Sequence, residues 1–266
     1  MSDFLKTMAA HSAERAAAAG QFCSADFERP VLPLTLSRFD IIAEIKDRSP
    51  AEGVLASGER SRSEQAALYA SGGAAAISVL TEPSRFDGSL AHLEEVVAAV
   101  PGTPVMRKDF LVDPVQILEA RKCGASGVLL IATMLSDDKL HAMLECAWQH
   151  DLFVLLESFD ADDLKRTSSL LEKSAHQERA ANGQLLVGIN TRNLRTLAVD
   201  AERLKLLASA LPQARCVAES GLLVADDATR VAGWGYQLAL VGTALMRSDN
   251  PAGLIAAMRT AGAAFK

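Results

Sequence analysis

Short apolar runs alternate with amphipathic stretches along most of this chain, and each apolar run ends at or beside polar residues or glycine. Eight runs have the length and composition of strands: Ile41–Lys46, Ala75–Leu80, Val105–Lys108, Gly127–Ala132, Phe153–Glu157, Leu186–Asn190, Cys216–Glu219 and Leu238–Gly242. Their apolar residues are continuous rather than alternating, the pattern of strands covered on both faces. The stretches between them have helical periodicity. Leu140, Met143, Leu144, Ala147 and Trp148 fall on one face, as do Leu93, Val96, Val97 and Val100, and later Leu204, Leu207 and Leu211. Asp113-Pro114 and Asn250-Pro251 each put a capping residue before a proline at the first helical position.

Eight strand–helix units with no linker-like stretch predict one α/β domain, a (β/α)8 TIM barrel over residues 41–266. An open doubly wound sheet would carry a glycine-rich fingerprint after its first strand, and this chain has none there. Residues 1–40 are expected as an N-terminal extension packed on the barrel, helical from Phe4 to about Ala19 and irregular around Pro30 and Pro33. The polar stretch Lys165–Gln184 reads as a helix extension plus an exposed loop.

Composition narrows the function classes. Of 266 residues, 49% are hydrophobic and 23% charged, ordinary for a globular enzyme. The formal net charge of −6 argues against a nucleic-acid or anionic-membrane surface. Met1–Gly20 carries Asp3, Lys6, Glu14 and Arg15 and no apolar core, so a signal peptide is not expected, and no apolar run approaches the roughly 20 residues of a membrane helix. These features predict a cytoplasmic protein; a monomer or weak homodimer is expected, and the strand ends point to a phosphorylated small molecule as its partner. The four cysteines, Cys23, Cys123, Cys146 and Cys216, lack paired spacing and read as reduced thiols. The five histidines show no His-x-x-x-His pattern, so no dedicated metal site is expected.

Active sites of such barrels are built at the carboxyl ends of the strands. The first strand ends Glu44-Ile45-Lys46, followed by Ser49-Pro50, and period-two alternation turns Glu44 and Lys46 into the barrel mouth. Two charges in a buried strand cost several kcal/mol unless paired or used. The third strand ends on Lys108, followed by Asp109-Phe110, which makes Lys108 a candidate acid. Glu157 closes the fifth strand, where partial desolvation would suit a general base; taken alone it reads almost as readily as a helix-capping acid. The sixth ends Asn190-Thr191-Arg192. A guanidinium there suits a planar carboxylate, although each residue by itself fits a turn. Glu219-Ser220-Gly221 and Gly242-Thr243 close the last two strands, where small residues let backbone N–H groups approach a phosphate. Phe86, after the second strand, either walls a pocket or anchors a loop.

In order along the chain, Ala43–Lys46 with Ser49-Pro50, Gly72–Glu82 with Phe86–Gly88, Arg107–Phe110 through Pro114, Gly188–Asn190 with Arg192–Leu194, Glu219–Gly221, and Val241-Gly242 with Ala244–Met246 resemble the indole-3-glycerol phosphate synthase family. The resemblance runs from about Ile41 to Pro251, one motif per strand. It implies a carboxy-lyase of tryptophan biosynthesis that closes the indole ring of 1-(2-carboxyphenylamino)-1-deoxyribulose 5-phosphate with loss of CO2 and water, without cofactor or metal. Carried over position by position, Lys108 would be the general acid and Glu157 the general base. Glu44 and Asn190 would assist, Lys46 would anchor the substrate, and Glu219 would support both lysines. Arg192 would hold the anthranilate carboxylate, with Phe110 and Pro50 against its ring and Ser49 and Phe86 beside it. Ser220, Gly221, Gly242 and Thr243 would bind phosphate. Ser158-Phe159 after the fifth-strand glutamate, Thr191, the segment Ser57–Ser63 and the long stretch before the sixth strand depart from the family pattern. They leave room for a copy serving a specialised secondary-metabolite pathway. A phosphoribosyl isomerase would carry a different acid and base, and a non-catalytic barrel module would have damaged them, whereas Lys108, Glu157 and Glu44 are all present.

Overall fold

The computed structural model describes residues 2–50, 52–55, 60–192, 199–200 and 202–265. The eight expected runs form eight parallel strands, each within a residue or two of its expected bounds. We number them β1 Asp40–Ile45, β2 Ala76–Leu80, β3 Val105–Lys108, β4 Gly127–Ile131, β5 Phe153–Ser158, β6 Leu185–Asn190, β7 Arg215–Glu219 and β8 Leu238–Val241. Each pairs with its neighbours in sequence, and β8 closes on β1, giving a closed (β/α)8 barrel. A two-residue antiparallel ladder, Arg48–Ser49 with Gly53–Val54, lies in the loop after β1.

The continuous apolar runs are explained by two cores. Ile41, Ala43 and Ile45 of β1 face the surrounding helices, while Ile42 joins Met106, Leu129, Leu155, Leu186, Val217 and Leu240 inside the barrel. Successive residues point to opposite faces, and both faces are dry. The same parity carries Glu44, Lys108, Glu157, Asn190 and Glu219 inward at the carboxyl ends.

Helices follow the strands as patterned. Leu140, Met143, Leu144, Ala147 and Trp148 are all buried on the helix Asp137–Gln149. Asp113 accepts from Val115 N, and Asn250 from Gly253 N, so both proline-marked starts are capped through side chains. Two stretches differ from expectation. The helix after β6 stops at Leu207, short of Leu211. The stretch before β6 is not an exposed loop: it folds as a further helix, Ser174–Ala181, on which His176 and Ala180, one turn apart, are both buried, His176 against Trp148 of the helix Asp137–Gln149. Asn193, Leu194 and residues 57–59 of the departing segment lie outside the described residues. Ser61 caps the helix Arg62–Ser71.

The first forty residues contact both ends of the barrel. The helix α1, Asp3–Ala17, puts Leu5 and Met8 against the interior cluster beside the mouth, while Leu34 and Leu36, just before β1, pack against the same cluster. No helix among the described residues is long and apolar enough to cross a membrane.

Candidate active site

One cavity of about 530 Å³ opens at the carboxyl ends of the strands, and every residue singled out from the strand ends lines it. The volume is in the range that holds a small organic ligand. Phe4, Glu52, Asp109 and Arg247 also line it, and none of these stood out in the sequence.

Its charged floor is organised around Glu44. The Glu44 carboxylate is buried and lies 2.7 Å from Lys46 Nζ and 3.5 Å from Lys108 Nζ. Burial by itself would raise its pKa, but the charges of Lys46 and then Lys108 overcome that and bring it down to about 2. Lys108 shows the reciprocal effect. Burial favours its neutral amine, yet Glu44, Glu157 and Glu219 together hold the ammonium above its ordinary range. Its neighbours therefore favour the charged, ammonium form of Lys108.

Glu219, expected to support both lysines, lies close enough to Lys108 to act on it electrostatically. It forms no ion pair with either lysine; Glu44 does that. Both Glu219 carboxyl oxygens and Glu157 Oε2 are buried without a hydrogen-bonding donor. Burial, and next the charge of Glu157, push the Glu219 carboxyl well above the usual range, with Lys108 opposing. Burial and the neighbouring acid both favour the protonated form of Glu219, and Lys108 favours its carboxylate. The space for the Glu219 carboxyl comes from Gly188. On β6, between the two acids, its backbone pairs with Glu157 and Val217, and a Cβ there would lie 2.1 Å from Glu219 Oε1. Gly242 has a similar role, since a Cβ at that position would lie 2.3 Å from Glu44 Oε1 and 3.0 Å from Lys46 Nζ. Gly242 thus makes room for an ion pair, a requirement separate from any approach to phosphate.

The rim carries the anion-directed groups. Asn190 Oδ1 accepts from Arg192 N at 2.9 Å and from Ser220 Oγ at 3.0 Å, tying the end of β6 to the end of β7. Ser220 and Gly221 both have left-handed backbone, with φ of 70° and 82°. A non-glycine residue there costs about 1–3 kcal/mol, and such strain concentrates at functional sites. Thr243 begins a four-residue helix just beyond β8. Phe86 and Phe110 form an apolar wall, their rings 6.2 Å apart, and Phe4 of α1 meets Phe110 edge-on at 5.8 Å. Phe159 is buried, and Ser158 extends β5, its hydroxyl 3.2 Å from Thr167 Oγ1, so neither departure from the family pattern points into the cavity.

Residues 13–258 match the family model of indole-3-glycerol phosphate synthase. The chain belongs to the indole-3-glycerol phosphate synthase family. A family member from a Nocardioides species is 44% identical over 219 residues, covering 82% of this chain and 79% of its own. Another, from a Parafrankia species, is 42% identical over 230 residues, covering 86% and 81%. Among solved structures, 3-hexulose-6-phosphate synthase from Salmonella typhimurium matches 84% of this chain and 98% of its own with a TM-score of 0.62 at 16% identity, a likeness of fold alone.

Proposed function

We propose that this chain catalyses the family reaction, converting 1-(2-carboxyphenylamino)-1-deoxyribulose 5-phosphate to indole-3-glycerol phosphate, CO2 and water. The observation that supports it most directly is the single cavity in which two lysines, Glu157, Asn190, Arg192 and the turns after β7 and β8 meet. Such a substrate brings a carboxylate, a phosphate, an aryl ring and a ketone, and each has a chemical counterpart on this rim.

In this reading Lys108 gives its proton to the ketone oxygen as the aryl carbon attacks, and the new carbon–carbon bond forms. The ring carboxyl then leaves as CO2, returning its bonding electrons to the ring. In the last stage Glu157 takes a proton from the new ring's carbon beside the nitrogen, and the hydroxyl accepts a proton from the Lys46 ammonium and departs as water. Lys46 holds the substrate and steadies developing charge, and Glu44 pairs with both lysines and favours the ammonium form of Lys108. Asn190, its Oδ1 already accepting two hydrogen bonds, can offer its amide N–H groups. Arg192 takes the anthranilate carboxylate bidentately. Phe110, Phe86, Ser49 and Pro50 enclose the ring. Ser220, Gly221, Gly242 and Thr243 receive the phosphate.

Residues 1–40 act as an extension whose helix covers the mouth, and the protein works in the cytoplasm as a monomer or weak homodimer. The test is direct. Purified protein given the carboxyphenylamino substrate without added metal should develop indole fluorescence. Folded protein that develops none overturns the reading.

A further inference from the structure

The outer face of the barrel carries a second cluster of ligand-type side chains, none of which lines the cavity. On the helix Asp137–Gln149, His141 and Glu145 are exposed one turn apart, so they project on the same side. The helix Ser174–Ala181 brings His176 beside them. One ring nitrogen of each histidine and one carboxylate oxygen of Glu145 lie within 4.8 Å of one another.

His176 is fixed in place. It is 2% exposed, its ring lies 5.3 Å from that of Trp148 and 6.0 Å from that of His141, and its Nδ1 is 2.8 Å from the Leu170 carbonyl oxygen. A proton on Nδ1 donated to that carbonyl leaves the lone pair on Nε2. A backbone carbonyl holding one ring nitrogen so that the other can ligate is the usual support of a metal-binding histidine. Packing accounts for His176 against Trp148; it does not require a histidine and a glutamate at the exposed positions over it.

We infer that His141, Glu145 and His176 bind a divalent cation of the zinc class, joining the helix Ser174–Ala181 to the helix Asp137–Gln149. Two imidazoles and one carboxylate select zinc or its neighbours over magnesium and calcium, which favour all-oxygen sets. Around tetrahedral zinc, with bonds of about 2.0–2.1 Å, ligand atoms stand roughly 3.3 Å apart. Closing from 4.8 Å requires rotation of the two exposed side chains while His176 stays put, and water completes the shell. The sequence concealed this site because the third ligand comes from a separate helix, the one that appears where a loop was expected. That helix leads through Gln184 into β6, which carries Asn190, so the bound ion would fasten the segment that feeds the rim.

The test uses the untagged, metal-stripped chain titrated with Co2+, read by its visible absorption, and then with Zn2+ in competition. One equivalent of Co2+ should bind and be displaced by Zn2+. Zn2+ should also raise the Tm and slow amide exchange in Ser174–Ala181. His141→Ala and Glu145→Gln, at exposed positions that leave the fold intact, should each weaken binding by at least about tenfold, and Cys23→Ser should leave it unchanged. The inference is overturned by absence of saturable binding near one equivalent, by wild-type affinity in both ligand variants, or by loss of binding in Cys23→Ser, which would put the ion on the exposed thiol.

Discussion

The Glu52 carboxylate stands 3.4 Å from the Arg192 guanidinium, across the mouth of the cavity. The same carboxylate accepts from Thr243 Oγ1 at 3.1 Å and lies 3.5 Å from Arg247. An acid from the loop after β1 therefore occupies groups that the proposed substrate needs for its own anions. Substrate has to displace it, and part of its binding free energy goes into breaking these contacts. Glu52→Gln should lower KM about two- to fivefold with kcat little changed, as expected for a partly screened ion pair worth up to about 1 kcal/mol. Steady-state kinetics decide this. A raised KM would make Glu52 a positioning residue instead.

Lys108 is half-buried beside three carboxylates that favour its ammonium form, so its removal deletes both the acid and the charge that offsets Glu157 and Glu219. Lys108→Met should reduce kcat by more than the roughly 10²-fold minimum of general acid catalysis, with a smaller effect on KM. A rate near that of the unaltered protein would take Lys108 out of the mechanism.

The strand ends were legible because their physics is local. A barrel strand is dry on both faces, so Val105–Lys108 and Phe153–Glu157 read as apolar runs, and a charge at the end of such a run is conspicuous. Glu52 was not legible, because its partners Arg192 and Thr243 lie far along the chain and nothing near residue 52 hints at them. The Glu157–Glu219 pair was also hidden, since the acids sit on β5 and β7 with β6 between. One signal did exist: Gly188 interrupts an otherwise bulky buried strand, and glycine there marks a close approach. The same holds for Gly242, read first only as part of a phosphate turn.

Glu219 and Glu44 should give opposite pH signatures. Glu44 titrates below its unfolded value, so its contribution to stability is present above about pH 4.5 and is lost as pH falls toward about 2. Glu219 titrates above its unfolded value, so its contribution is complete below about pH 4.5 and is lost as pH rises through the folded-state value. Glu219→Gln keeps a donor for Glu157 and removes that titration. Its Tm should fall less than that of the unaltered protein as pH is raised from 5 to 9, while kcat drops. Parallel Tm profiles would show that Glu219 does not carry the proton assigned to it.

Arg15 holds α1 to the rim through Asp109, at 2.6 Å, with Glu82 at 3.6 Å. Asp109 keeps other partners if Arg15 is lost, since it also accepts from Thr81 Oγ1 at 2.8 Å, Phe110 N at 2.8 Å and Arg107 at 3.2 Å. Arg15→Ala should therefore loosen α1 without orphaning a buried charge. The bond lost is charge-assisted, worth about 1.5–3 kcal/mol, and it acts on a helix that places Phe4 against Phe110. Amide exchange across Asp3–Ala17 should speed up about tenfold or more, with exchange in the barrel strands unchanged. Substrate kcat/KM should fall as the apolar wall loses Phe4. Unchanged protection of Asp3–Ala17 would show that Leu5 and Met8, packed on the interior cluster, hold the helix without the ion pair.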